Sequence, residues 1–219
     1  MKNAIVKRNV LFWGKYGVQL TGIMLGFTVL YGFLFNMGGD IGKFWETAHF
    51  YGLIIGILFA YIGAPSYSGV YIPMVISFGS GRKEALWGAQ LRNAAYIVSA
   101  YMVVLFTEYM NSGSLSVTKD ILIFEGMVLF SAVGQFCMAA QLHFGQKGMI
   151  ASVVFIAVVL AVGTFVGLMQ IEDLANVWSS ASRNSMGILL AAGALVTVIG
   201  YGISILVAFR VMKRYEMKA

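Results

Sequence analysis

The chain has 219 residues, of which 59% are hydrophobic, 14% aromatic and only 11% charged, with a mean hydropathy of +0.82. A soluble domain carries about 25% charged residues, so 15 Lys+Arg and 9 Asp+Glu cannot clothe a globule of this size, and lipid must be the solvent for most of it. Apolarity on this scale excludes disorder, and long apolar runs replace the short alternating segments of an outer-membrane barrel. The expected fold class is an all-α membrane protein.

Six helical spans of about 20 residues would consume roughly 120 residues, which leaves no room for a soluble catalytic domain. The lone cysteine, Cys137, lies within an apolar run and excludes an internal disulfide or a cysteine-based metal site. The basic N-terminus lacks a short apolar core ending at a small-residue cleavage site, so no removable signal peptide is expected. The whole of 1–219 reads as a single transmembrane domain.

In chain order, residues 1–16 read first as an amphipathic helix in the headgroup plane. Ile5, Val6, Phe12, Trp13 and Tyr16 share one broad face, with Lys7, Arg8 and Lys15 opposite; a plain basic flank fits the same residues. The first span covers 17–36, and Ile41 to His49 reads as an interfacial loop. The second span covers 50–70, followed by a long polar stretch from Ser77 to Asn93. The third covers 94–110, the fourth 121–142, the fifth 149–170 and the sixth 186–209. A polar connector, 171–184, joins the last two.

Loop charges set the expected orientation. Lys2, Lys7, Arg8, Lys15, Arg82, Lys83, Arg92, Lys147, Arg210, Lys213, Arg214 and Lys218 fall on one side, which is twelve of the 15 cations. Both termini are therefore expected in the cytoplasm. Topology accounts for the net charge of +6, and no nucleic-acid partner is needed.

Enzyme motifs are missing. The two histidines, His49 and His143, stand in no His-Glu-x-x-His motif. The aspartates Asp40, Asp120 and Asp173 are scattered, and the chain has no P-loop. No catalytic residue, metal or cofactor is expected in this chain, which leaves transport or membrane scaffolding.

The stretch Ser77-Phe-Gly-Ser-Gly-Arg-Lys-Glu-Ala85 is the most informative. Gly79 and Gly81 break the preceding span, and Ser80 can cap a short helix over Arg82 to Leu91. That helix would carry Leu86, Trp87 and Leu91 on one side and Arg82, Lys83, Glu84 and Gln90 on others. Lying along the membrane, it would offer a docking surface to a cytoplasmic partner; a topogenic basic loop is the blander alternative.

This phrase, placed between a second and a third span, resembles the membrane (permease) subunits of bacterial type-2 ABC exporters. Gly79, Arg82, Lys83 and Glu84 fall on the family motif, and Gly81 replaces a commoner Thr. The resemblance extends to the basic N-terminal helix, the six spans and the cytoplasmic termini. It implies that the short segment is a coupling helix, with Gly79, Ser80, Arg82, Lys83, Glu84, Leu86 and Trp87 contacting a separate cytoplasmic ABC ATPase. ATP and Mg would bind on that partner. A second permease copy or a sibling would complete the pathway in the bacterial plasma membrane. The resemblance and the Met- and aromatic-rich spans together point to an amphipathic peptide or lipid-like cargo, moved outward. The substrate-binding membrane subunit of an energy-coupling-factor importer, and a non-transporting scaffold, are the alternative readings.

Within the spans, Glu125 and Gln135 are the polar residues with a place in a substrate pathway. Glu125 sits near the outer interface, where its carboxylate would reach water. Gln135 lies deeper, where hydrogen-bonding to another helix is the simpler role. The small-residue stripes Gly22/Gly26, Gly52/Gly56/Ala60/Ala64 and Gly163/Gly167 suit close helix packing, with one of them serving a subunit interface.

Overall fold

A computed structural model describes residues 2–36, 39–66, 71–72, 76, 81–155, 157 and 183–214. All regular structure among them is helical. The elements are α1 (Lys2–Leu34), α2 (Ile41–Ser66), α3 (Arg82–Ser112), α4 (Val117–Phe144), α5 (helical over 146–155) and α6 (Arg183–Arg214). Five of them, α1 to α4 and α6, are long and apolar enough to cross a membrane, as a multi-pass membrane protein requires. The expected fifth span, 149–170, lies outside the described residues from 158 onward, as do the connector 171–182 and the pair Gly163/Gly167.

Helix ends follow local chemistry. Asp40 caps α2: its Oδ1 accepts from the Gly42 N–H at 2.9 Å, and its carbonyl accepts from Phe44 N–H at 3.0 Å. Helix α3 stops at Gly113, whose φ of 69° lies in the left-handed region and whose N–H returns to the Tyr109 carbonyl.

Three expectations are corrected by helix continuity. Residues 1–16 are not a separate interfacial helix, because α1 runs unbroken from Lys2 to Leu34. Trp13, assigned to a lipid-facing surface, is 3% exposed and packs with Ile72, Leu86, Ala89, Met138 and Met212. Ile41 to His49 form the first turns of α2 rather than a loop. Likewise 82–91 is not a short helix of its own. It is the start of a 31-residue α3, so Gln90, Arg92 and Asn93 lie in the bundle, each buried.

Packing is built around α2, which contacts α1, α3 and α4; α1 also packs on α3, and α6 packs chiefly on α4. A second apolar cluster lies further along the bundle, with Met24, Ala60, Tyr96, Ile97, Ala100, Val104 and Met127 interlocked. The α2 stripe of small residues lets this happen. Gly52 faces Thr28, and Gly56 faces Met24 and Met127. Gly22 and Gly26 on α1, by contrast, meet no atom of the described residues within 4 Å.

A close backbone approach joins α2 to α4. Pro65 offers no N–H to the Tyr61 carbonyl, and Gly134 of α4 packs directly against that carbonyl, leaving no space for a Cβ.

Candidate functional site

The antiparallel helices create two chemically different ends. At one, the start of α3 meets the end of α6, and Arg82 Nη1 donates to the Lys213 carbonyl at 3.3 Å. Arg82, Lys83, Glu84 and Trp87 are exposed here. Glu84 folds back, its Oε2 accepting from the Gly81 N–H at 3.3 Å. Gly81 is thus the N-cap, the place expected for Ser80. The Trp87 ring is 61% exposed and sits edge-on to Phe209, with centroids 5.7 Å apart. Leu86 points the other way and is fully buried among Trp13, Ala89 and Met212. The seven residues expected to form one docking surface therefore divide. Four line an exposed face, Leu86 supports it from beneath, and Gly79 and Ser80 lie outside the described residues.

Behind this face, a polar network crosses the bundle. Gln135 on α4 is fully enclosed and pairs amide to amide with Gln90 on α3: Gln90 Nε2 donates to Gln135 Oε1 at 3.1 Å, and Gln135 Nε2 donates to Gln90 Oε1 at 2.9 Å. From α6, Tyr201 donates to Gln90 Oε1 at 2.9 Å and Ser204 to Gln135 Oε1 at 3.1 Å. Three helices are tied by one closed set of bonds, and Gln135 acts there as a tether between helices.

Glu125 is half-buried, and one of its two carboxylate oxygens is closed off. Its Oε2 is sealed from solvent with no hydrogen-bond partner and abuts Gly193 of α6 closely enough that a methyl group there would overlap it. A side chain at 193 would make the flexible Glu125 carboxyl group swing aside.

Sequence reasoning missed Arg92, counted there as a loop cation. It is 2% exposed; its Nη2 donates to the Gly63 carbonyl and to Asn93 Oδ1 at 2.8 Å. Beside it lies a cavity of about 180 Å³ lined by Tyr16, Leu20, Phe59, Ile62, Gly63, Tyr71 and Arg92. Tyr16 and Tyr71 join hydroxyls at 2.6 Å across one wall. The available signal was position, since Arg92 lies three turns into a segment with no proline or glycine pair to end the helix.

At the opposite end, the α3–α4 turn brings Glu108, Lys119 and Asp120 together, with His49 and Thr107 alongside. Lys119 Nζ is 2.8 Å from Glu108 Oε1, and His49 Nδ1 is 3.4 Å from Thr107 Oγ1. Among the described residues no group of three or more His, Cys, Asp or Glu side chains is placed to hold a metal ion.

No family model, curated protein or solved structure matches the chain.

Proposed function

We propose that the chain is the permease subunit of an ATP-driven exporter of the type-2 ABC class, with ATP hydrolysed on a separate cytoplasmic partner. One observation carries the reading. The motif residues Arg82, Lys83 and Glu84, with Trp87, form an exposed charged and aromatic face at the end of the bundle where α6 also ends. Exposed aromatic and Arg side chains are the groups that dominate protein–protein recognition. In this reading the coupling element is the projecting start of α3 itself, together with Gly79 and Ser80 ahead of it. Glu84 holds the helix start in place, and Leu86 anchors it to the core.

Closure of the partner ATPases would push on this face and move α3, and α6 with it. A second copy or a sibling would supply the other half of the pathway. The bundle presents apolar side chains along α1 and α6, such as Ile23, Phe33, Leu195 and Leu206. Few charges are available to replace the water of a hydrated solute, which supports an amphipathic peptide or lipid-like cargo moved outward. Both termini would be cytoplasmic, with the face on the same side.

The test is co-isolation from the native host with a tag on this chain. Wild-type protein is expected to carry a soluble ATPase. Glu84→Arg and Trp87→Ala should insert normally yet lose that partner, and the purified chain alone should hydrolyse no ATP. Retention of the ATPase by both variants, or recovery of no ATPase at all, would overturn the proposal.

A further inference from the structure

The α3–α4 turn, at the end of the bundle away from the docking face, contains two buried acids. Glu108 is 4% exposed and Asp120 6%. Their carboxyl groups lie within hydrogen-bonding reach of each other. Lys119 neutralises one charge through Glu108 Oε1 at 2.8 Å. Glu108 Oε2 and Asp120 Oδ1 are each sealed from solvent, and neither meets a donor among the described residues.

Two carboxylates in contact cannot both stay ionised without strong repulsion. Two ionised carboxylates are also acceptors only, so each would keep a buried oxygen with nothing to bind. A single proton removes both problems. One carboxyl group becomes an O–H donor, the other accepts, and the bond is of the strong charge-assisted kind. The pair then carries one negative charge, which matches the single positive charge of Lys119.

The other titratable groups facing the pair are His49 from α2 and Tyr101 from α3. Neither offers a donor to the two orphaned oxygens. With no third ligand-type side chain converging among the described residues, a metal ion would find two carboxylates and little else, whereas a proton needs no more than two oxygens.

We propose that Glu108 and Asp120 form a proton-binding site, holding one proton between them at mildly acidic pH and clamping the end of α3 to the start of α4. This inference stands apart from the transport reading and does not depend on the cargo. Its sign follows from linkage. At about pH 5 the unfolded chain has both carboxyls largely ionised, so the native state binds up to one proton more. Stability must then fall as the pH rises.

The experiment uses full-length protein in lipid nanodiscs, in a Glu125→Gln background because the Glu125 Oε2 is also sealed. Infrared spectroscopy should show the C=O stretch of a protonated carboxylic acid at about pH 5, and the band should vanish as the pH is raised to about 8. Both Glu108→Gln and Asp120→Asn should remove it. Thermal stability should weaken between about pH 4 and about pH 7 in the parent and stay flat in Asp120→Asn, whose amide donates permanently. Should one variant fail to fold, the other decides. Absence of the band at about pH 5, its survival in either variant, or recovery of alkaline stability on adding sodium would overturn the proposal.

Discussion

Replacing Gln90 by Met should destabilise the protein more than replacing Gln135 by Met, although Gln135 is the more deeply buried of the two. Methionine nearly matches glutamine in length, so packing is retained and the hydrogen bonds are what change. In Gln135→Met, the Gln90 carbonyl keeps the Tyr201 hydroxyl, and Ser204 keeps its bond to the Tyr201 carbonyl at 2.7 Å. Only the Gln90 amide N–H is stranded. In Gln90→Met, both the Gln135 amide N–H and the Tyr201 hydroxyl lose their acceptor. A stranded buried donor costs about 1–3 kcal/mol, whereas interhelical bonds in membrane proteins average about 0.6 and reach about 1.7 kcal/mol in double-mutant cycles. The two scales bracket Gln135→Met at about 1–2 kcal/mol, with Gln90→Met larger by about one further donor. The double variant strands only the Tyr201 hydroxyl, so it should cost less than the two singles combined, by about 1 kcal/mol or more. Reversible unfolding in mixed micelles measures all four corners of the cycle. Strict additivity, or a larger loss for Gln135→Met, would refute this account of the network.

Trp13→Ala should cost about 3–5 kcal/mol, as expected for an aromatic side chain lost from a core, and an effect close to zero in thermal unfolding would return 1–16 to the membrane surface. Gly134→Ala should destabilise by about 1–3 kcal/mol through overlap with the Tyr61 carbonyl, while Gly22→Ala, which meets no described atom, should be neutral in the same assay. In a Cys137→Ala background, impermeant thiol reagents on intact cells should label Ser114→Cys and not Lys83→Cys; the reverse pattern would invert the orientation. Gly193→Leu should separate α6 from α4 and lower the melting temperature more than Gly187→Leu, since only Gly193 lies against Glu125.

How much of this was legible in the sequence depends on which physical signal each element used. The spans announce themselves through long apolar runs, and α4 and α6 contain the stretches expected of them. The polar residues misled. Gln90 suggested a helix lying along the membrane, and Arg92 and Asn93 the polar stretch around it, because hydropathy treats polar side chains as seeking water. In a bundle within lipid they can seek one another instead, and Gln90 finds Gln135 on α4, 45 residues away. No local pattern reports such a partner. Asp40 was different, since an Asp ahead of an apolar-periodic segment is a helix-start signal and was available to place the start of α2. The motif at Arg82 to Glu84 was visible as chemistry, but its division into an exposed face and a buried anchor at Leu86 depends on which neighbours α3 acquires.

The unbroken length of α3 has a mechanical meaning. Thirty-one residues at about 1.5 Å each make a rod roughly 46 Å long, against a hydrocarbon layer about 30 Å thick. At least one end therefore stands clear of the oily layer. Because hydrogen bonds run continuously between them, a tilt or thrust delivered near Arg82 is not absorbed at a hinge on the way. It arrives at Glu108 almost undiminished, as with a lever that has no joint. Signals can also travel back, so whatever fixes or frees the far end of the rod changes how readily the near end yields.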